Sequence, residues 1–134
     1  MTYYLDANIC IYFLKGKNKI LKDKILSMNP NEIKIPSIVR AELLYGVEKS
    51  QRIEENREKV LQFLFPIETI AFNEPEADIY SKIRVQLEKN RNIIGPNDLI
   101  IASTVLANDG ILITNNVKEF NRVDKLQIED WTAS

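Results

Sequence analysis

With 134 residues, 45% of them hydrophobic, the chain is long enough to bury a core without disulfides or a structural metal. It contains no histidine, which excludes Ser-His-Asp triads, Cys-His pairs, histidine-ligated zinc and imidazole acid–base catalysis. A formal net charge of −1 makes indiscriminate nucleic-acid binding weak, although the charge is uneven: residues 1–60 carry eleven Lys/Arg against eight Asp/Glu, and residues 61–134 seven against eleven.

The first predicted strand is Thr2 to Leu5. No basic region followed by an apolar run precedes it, and no apolar run is long enough to span a bilayer, so a cytoplasmic protein is expected. Asn8 is positioned to cap a helix running through Leu14. That helix holds Cys10, the only cysteine, in an apolar stretch, which suits a buried inert thiol in a reducing compartment. Lys15, Lys17, Lys19, Lys22 and Lys24 follow, opposed only by Asp23; so short a run reads as a solvated helix face rather than a phosphate-binding patch. A second helix spans Lys19 to Met28 and ends before Asn29-Pro30.

A strand at Ile33 to Ile35 leads to a helix capped by Ser37 and reaching Lys49, and another helix covers Arg52 to Phe65. After a strand at Ile67 to Ala71, Asn73 and Glu76 form a capping-box signature for a helix reaching Asn90. Gly95-Pro96 opens a helix through Asn108, with proline in the first turn where its missing N–H costs nothing. Strands at Ile111 to Ile113 and Leu126 to Ile128 complete the pattern. No repeat, linker or low-complexity segment divides it, so one domain over residues 1–134 is expected. Such alternation predicts an α/β fold, a mostly parallel sheet of about five short strands with helices on both faces. Ligands collect at the carboxyl ends of strands in such sheets.

Three acids occupy positions where the pattern calls for core residues. Asp6 ends the first strand. Glu42 lies four residues after Ile38 and three before Tyr45, on one helical stripe with both, while Leu43, Leu44 and Val47 cover the opposite side. Asp98 shares a stripe with Ile101, Ala102 and Val105. Taken singly, each reads as structural: Asp98 complementing a helix dipole, Glu42 paired with an arginine such as Arg40. Together they suggest more, because clustered carboxylates raise each other's proton affinity and a divalent cation is the usual compensation. All-oxygen ligation selects a hard ion, Mg²⁺ or Mn²⁺.

Four blocks of sequence resemble the signature segments of PIN-domain VapC ribonucleases, in the right order. They are Leu5-Asp6-Ala7-Asn8; Pro36-Ser37 through Ala41-Glu42-Leu43 to Tyr45-Gly46; Gly95-Pro96-Asn97-Asp98 to Ala102; and Thr114-Asn115-Asn116 to Phe120. The ending Ile128-Glu129-Asp130-Trp131 is similar to the family's close. The resemblance implies a PIN domain in which Asp6, Glu42 and Asp98 hold Mg²⁺ and support hydrolysis of RNA, tRNA above all, by the toxin of a type II toxin–antitoxin system. It further implies a small antitoxin partner and a homodimer, for which apolar helices near the N-terminus and around residues 38–47 could supply an interface. Many members have a fourth aspartate where this chain has Asn116. Glu119 is the nearest acid, and it either fills that role with help from Asn116 or is a surface residue on a short turn.

Competing readings remain at this level. A receiver-type module shares the acidic pocket but needs an aspartate after the third strand, where Ile70-Ala71 stand. An aspartyl phosphatase would show Asp-x-Asp after the first strand, where Asp6-Ala7-Asn8 lacks the second acid. A non-catalytic interaction module would keep the acids as structure only.

Overall fold

The computed structural model describes residues 1–133. Five short strands form one sheet: β1 (Tyr3–Leu5), β2 (Ile33–Pro36), β3 (Glu68–Ile70), β4 (Ile111–Ile113) and β5 (Gln127–Glu129). Every neighbouring pair is parallel and the order is β3-β2-β1-β4-β5. The chain builds outward from β1 through β2 to β3, then returns to lay β4 on the other flank of β1. The point where the order reverses is therefore the β1/β4 seam, and in parallel sheets a crevice opens there at the carboxyl ends.

The helices are α1 (Ala7–Lys15), α2 (Lys19–Ser27), α3 (Ser37–Glu48), α4 (Ile53–Leu64), α5 (Glu74–Lys89), α6 (Pro96–Ala107) and the short α7 (Val117–Phe120). The rule that crossovers are right-handed assigns α1 to α4 to one face of the sheet and α5 with α6 to the other. Consistent with this, α1, α3 and α4 pack on one another and α5 packs along α6. Tyr4, Leu5, Ile35, Leu112 and Ile113 of the inner strands are buried, as fully covered parallel strands require. Among the described residues, no helix is long and apolar enough to cross a membrane.

Local chemistry differs from the sequence reading in four places. The cap of α1 is Asp6, not Asn8: its Oδ1 accepts from the Ile9 N–H at 2.9 Å, so the helix begins at Ala7 rather than after Asn8. Pro36 holds the cap position of α3 and Ser37 is its first helical residue, without a side-chain cap. The buried stripe of α3 is Val39, Leu43 and Val47, and Tyr45 points outward, so the face bearing Glu42 flanks the core rather than entering it. Residues 117–120 form a helical turn where none was expected. The capping box at α5 is present, with the Glu76 carboxylate accepting from the Asn73 N–H at 2.8 Å; its other oxygen accepts from the Asn108 amide at 2.9 Å and so ties the start of α5 to the end of α6. Cys10 is fully buried, as expected, and burial pushes its thiol far above the ordinary range.

Gly110, between α6 and β4, lies against the ring of Tyr4: a Cβ there would stand 2.3 Å from Cε1. Gly110→Ala should therefore force the buried Tyr4 ring or the start of β4 to shift and destabilise the fold by about 1–3 kcal/mol. Urea unfolding of both proteins checks this, with unchanged stability as the contrary result.

Candidate active site

Parallel pairing sets Leu5 of β1 beside Ile113 of β4, so the residues that follow, Asp6 and Thr114, emerge side by side at the seam. Asp6 is only 5% exposed and Thr114 is fully buried. The Thr114 hydroxyl donates to Asp6 Oδ2 at 2.5 Å, while the Ile9 N–H takes Oδ1. Two donors fix the carboxylate's orientation, yet its proton affinity remains above the ordinary range. Burial is the main cause and the Asp130 charge adds to it, outweighing the hydrogen bonds from Thr114 and Ile9.

Glu42 reaches the same place from α3, and Asp98 from the first turn of α6. With Asp6, Ala7, Asn8 and Ile101 they line a hollow of about 50 Å³, roomy enough for one or two water-sized occupants. All three acids therefore wall one hollow, which is less than the shared coordination sphere that was expected. Among the described residues, no three acidic side chains close into a compact ligand cluster. The Oε1 of Glu42 is buried with no hydrogen-bond partner. Burial raises its proton affinity and the Asp6 charge adds to this, while the Asn97 amide opposes them. Neither Asp6, Glu42 nor Asp98 has a Lys or Arg ion-pair partner among the described residues, so the expected alternative of a Glu42–Arg40 pair does not occur.

Asp98 decides between the two readings of an acid in a first turn. A helix N-terminus alone would favour its charged form. Instead its pKa is raised to about 7, first by burial, then by the charge and hydrogen bond of Glu119, then by the charges of Asp6 and Glu42. Burial, with the acidic field added to it, outweighs the helix dipole.

Glu119 is not a free surface residue. Its Oε1 accepts from the Gly95 N–H at 2.8 Å, and its Oε2 accepts from the Asn116 amide at 2.6 Å. Burial disfavours its charge, but these two donors, the hydrogen bond to Asp98 and the Arg122 charge hold it below the ordinary carboxylate range. Glu119 and Asp98 are thus coupled, with proton affinity raised at Asp98 and lowered at Glu119. Asn116 is held in turn by its own N–H, which donates to Thr114 Oγ1 at 3.0 Å. Sequence reasoning treated Thr114 only as the start of a loop and passed over Asn97. The available signal for Thr114 was a hydroxyl directly after a fully apolar strand.

A parallel sheet with acids gathered at its switch point matches the PIN domain profile over residues 3–126, and the chain belongs to that family. Ribonuclease VapC2 of Rickettsia felis is 43% identical over 132 residues, covering 98% of each chain. The tRNA(fMet)-specific endonuclease VapC of Shigella flexneri is 33% identical, covering 98% of this chain and 99% of that one. Among solved structures, VapBC2 of Rickettsia felis bound to a DNA fragment from its promoter aligns with a TM-score of 0.91 at 40% identity, over 98% of this chain and 99% of that chain. The particular kind of PIN domain is therefore a VapC-type ribonuclease, an enzyme rather than a receiver-like module.

The raised carboxylates imply a sign for pH dependence. Asp6, Glu42 and Asp98 bind protons more tightly in the folded chain than in the unfolded one, so stability without metal falls as pH rises through the folded values, up to about 7 for Asp98. The depressed Glu119 acts oppositely, losing its contribution only as pH falls below the ordinary carboxylate range. With no histidine to titrate between, melting in a chelator should drop from about pH 5 to about pH 7.5, and Asp98→Asn should flatten that slope. A slope unchanged by the substitution would place the repulsion elsewhere.

Proposed function

We propose that this enzyme is a Mg²⁺-dependent endoribonuclease, with Mn²⁺ as an effective substitute, whose substrate is tRNA and whose activity is restrained by a cognate antitoxin. The observation that carries the metal reading is the buried, unpartnered Glu42 Oε1 in a hollow walled by two further carboxylates. None of the three acids has a Lys or Arg partner among the described residues and Glu42 Oε1 has no donor at all, so a cation in the hollow would compensate their charge. The donor set is all oxygen, which suits a hard ion. When bound, the ion would supply water activation and charge stabilisation at the phosphoryl group.

The chain's own residues divide the remaining work. Asp6, Glu42 and Asp98 would hold the ion. Thr114 and the Ile9 N–H keep the Asp6 carboxylate from rotating. Glu119 fills the fourth acidic position, with Asn116 as its positioning residue. The tRNA substrate rests on the Shigella relative, and the antitoxin on the VapBC pairing of the solved relatives. A cytoplasmic toxin acting as a homodimer is the reading consistent with the family.

Cleavage of total tRNA should require Mg²⁺ or Mn²⁺, stop with EDTA, and be abolished by Asp6→Asn, Glu42→Gln or Asp98→Asn. EDTA-resistant cleavage, or full activity in these variants, would contradict the proposal. Glu119→Gln should slow cleavage by about 10- to 100-fold with the ion still bound, the usual range for groups acting behind the ligands. Asn116→Ala should show a similar loss, because it frees Glu119. If Glu119→Gln has no effect while Asn116→Ala removes activity, the fourth role belongs to Asn116.

A further inference from the structure

The lysine-rich stretch around α1 gains a specific placement once the chain is folded. A groove of about 600 Å³ runs between α1, α3 and α4, and its lining includes Leu14, Leu43 and Val60 together with Lys15 and Lys59. Glu42 lines this groove and also lines the acidic hollow, so the two spaces adjoin on either side of that residue. Asn8, Ile11 and Lys15 recur on one face of α1, the first beside the acids and the other two in the groove; at 1.5 Å per residue that face covers roughly 10 Å.

Charge favours a polyanion in this space. Lys15 is exposed and has no acidic partner among the described residues, and the same holds for Lys17, Lys19 and Lys22 nearby. Lys59 has only a long contact to Glu55, at 3.6 Å between two well-exposed side chains, which offers little competition for a phosphate. An acidic hollow on its own repels RNA. Cations on the wall of the adjoining groove would offset that repulsion and draw the backbone toward the ion.

We infer that the α1/α3/α4 groove seats the phosphate backbone of the RNA strand beside the scissile bond, with Lys15 and Lys59 as its phosphate contacts. The inference rests on the proposed nuclease function and assigns a second part of its site. Lys17, Lys19 and Lys22 extend the same field without entering the groove. The lysine run is thus a solvated helix face at its far end and a phosphate contact at Lys15.

The test is steady-state cleavage of total tRNA by the full-length enzyme with Mg²⁺ across a salt series. For Lys15→Ala with Lys59→Ala, KM should rise by about 10- to 30-fold at 0.1 M salt with kcat little changed, and the slope of log affinity against log salt should fall by about 1.4, the value for two single-strand phosphate contacts. Lys15→Arg with Lys59→Arg should restore both. Lys82→Ala, on α5 away from the groove, should leave both as in the wild type. Unchanged KM and salt slope in the double alanine variant, while the wild type cleaves, would overturn the inference. Loss of antitoxin binding in that variant without any change in tRNA cleavage would overturn it too, and give the groove to a protein. A wild type without metal-dependent cleavage would instead overturn the proposed function.

Discussion

Burial of carboxylates at one edge of the sheet, with repulsion between like charges added to it, is the constraint around which this molecule is arranged. Asp6, Glu42 and Asp98 come from β1, α3 and α6, and each binds its proton more tightly than usual because it is buried among like charges. An unfolded chain would keep them apart in water. Folding brings them together against their preference, and the apolar sheet beneath supplies the opposing free energy. The cluster is stable only because it stands on a rigid support: Leu5, Ile113 and Leu112 are completely buried just below it.

The arrangement also shows how one site gives two acids opposite behaviour. Glu119 receives donors from Gly95 and Asn116, which lower its proton affinity, while burial and the charges of Glu119, Asp6 and Glu42 raise that of Asp98. Thr114 joins the two halves, donating to Asp6 and accepting from the Asn116 N–H. The Asn116 amide also holds Glu119, which faces Asp98.

Much of this was legible in the sequence. The strands fell within a residue or two of their observed positions because they are short, β-branched and flanked by clear turn signals, and strand alternation with helices gave the parallel sheet. Asp6, Glu42 and Asp98 stood out as acids in apolar patterns. What could not be read were side-chain partners. Asp6 and Asn8 are both plausible caps, and only the backbone's course after β1 selects Asp6. The tilt of α3 turns Val39 and Leu43 inward and leaves Glu42 on the flank, a choice that periodicity cannot make on a helix apolar nearly all round. Thr114 pairs with a residue 108 positions away, which no local pattern encodes.

The central claim is that the hollow walled by Asp6, Glu42 and Asp98 is a cation site. Anomalous diffraction from crystals of the protein soaked in Mn²⁺ tests it most directly. The account predicts a Mn²⁺ peak in that hollow, lost in crystals of Asp98→Asn. Mn²⁺ bound only elsewhere, with the hollow holding no anomalous scatterer at saturating metal, would contradict it.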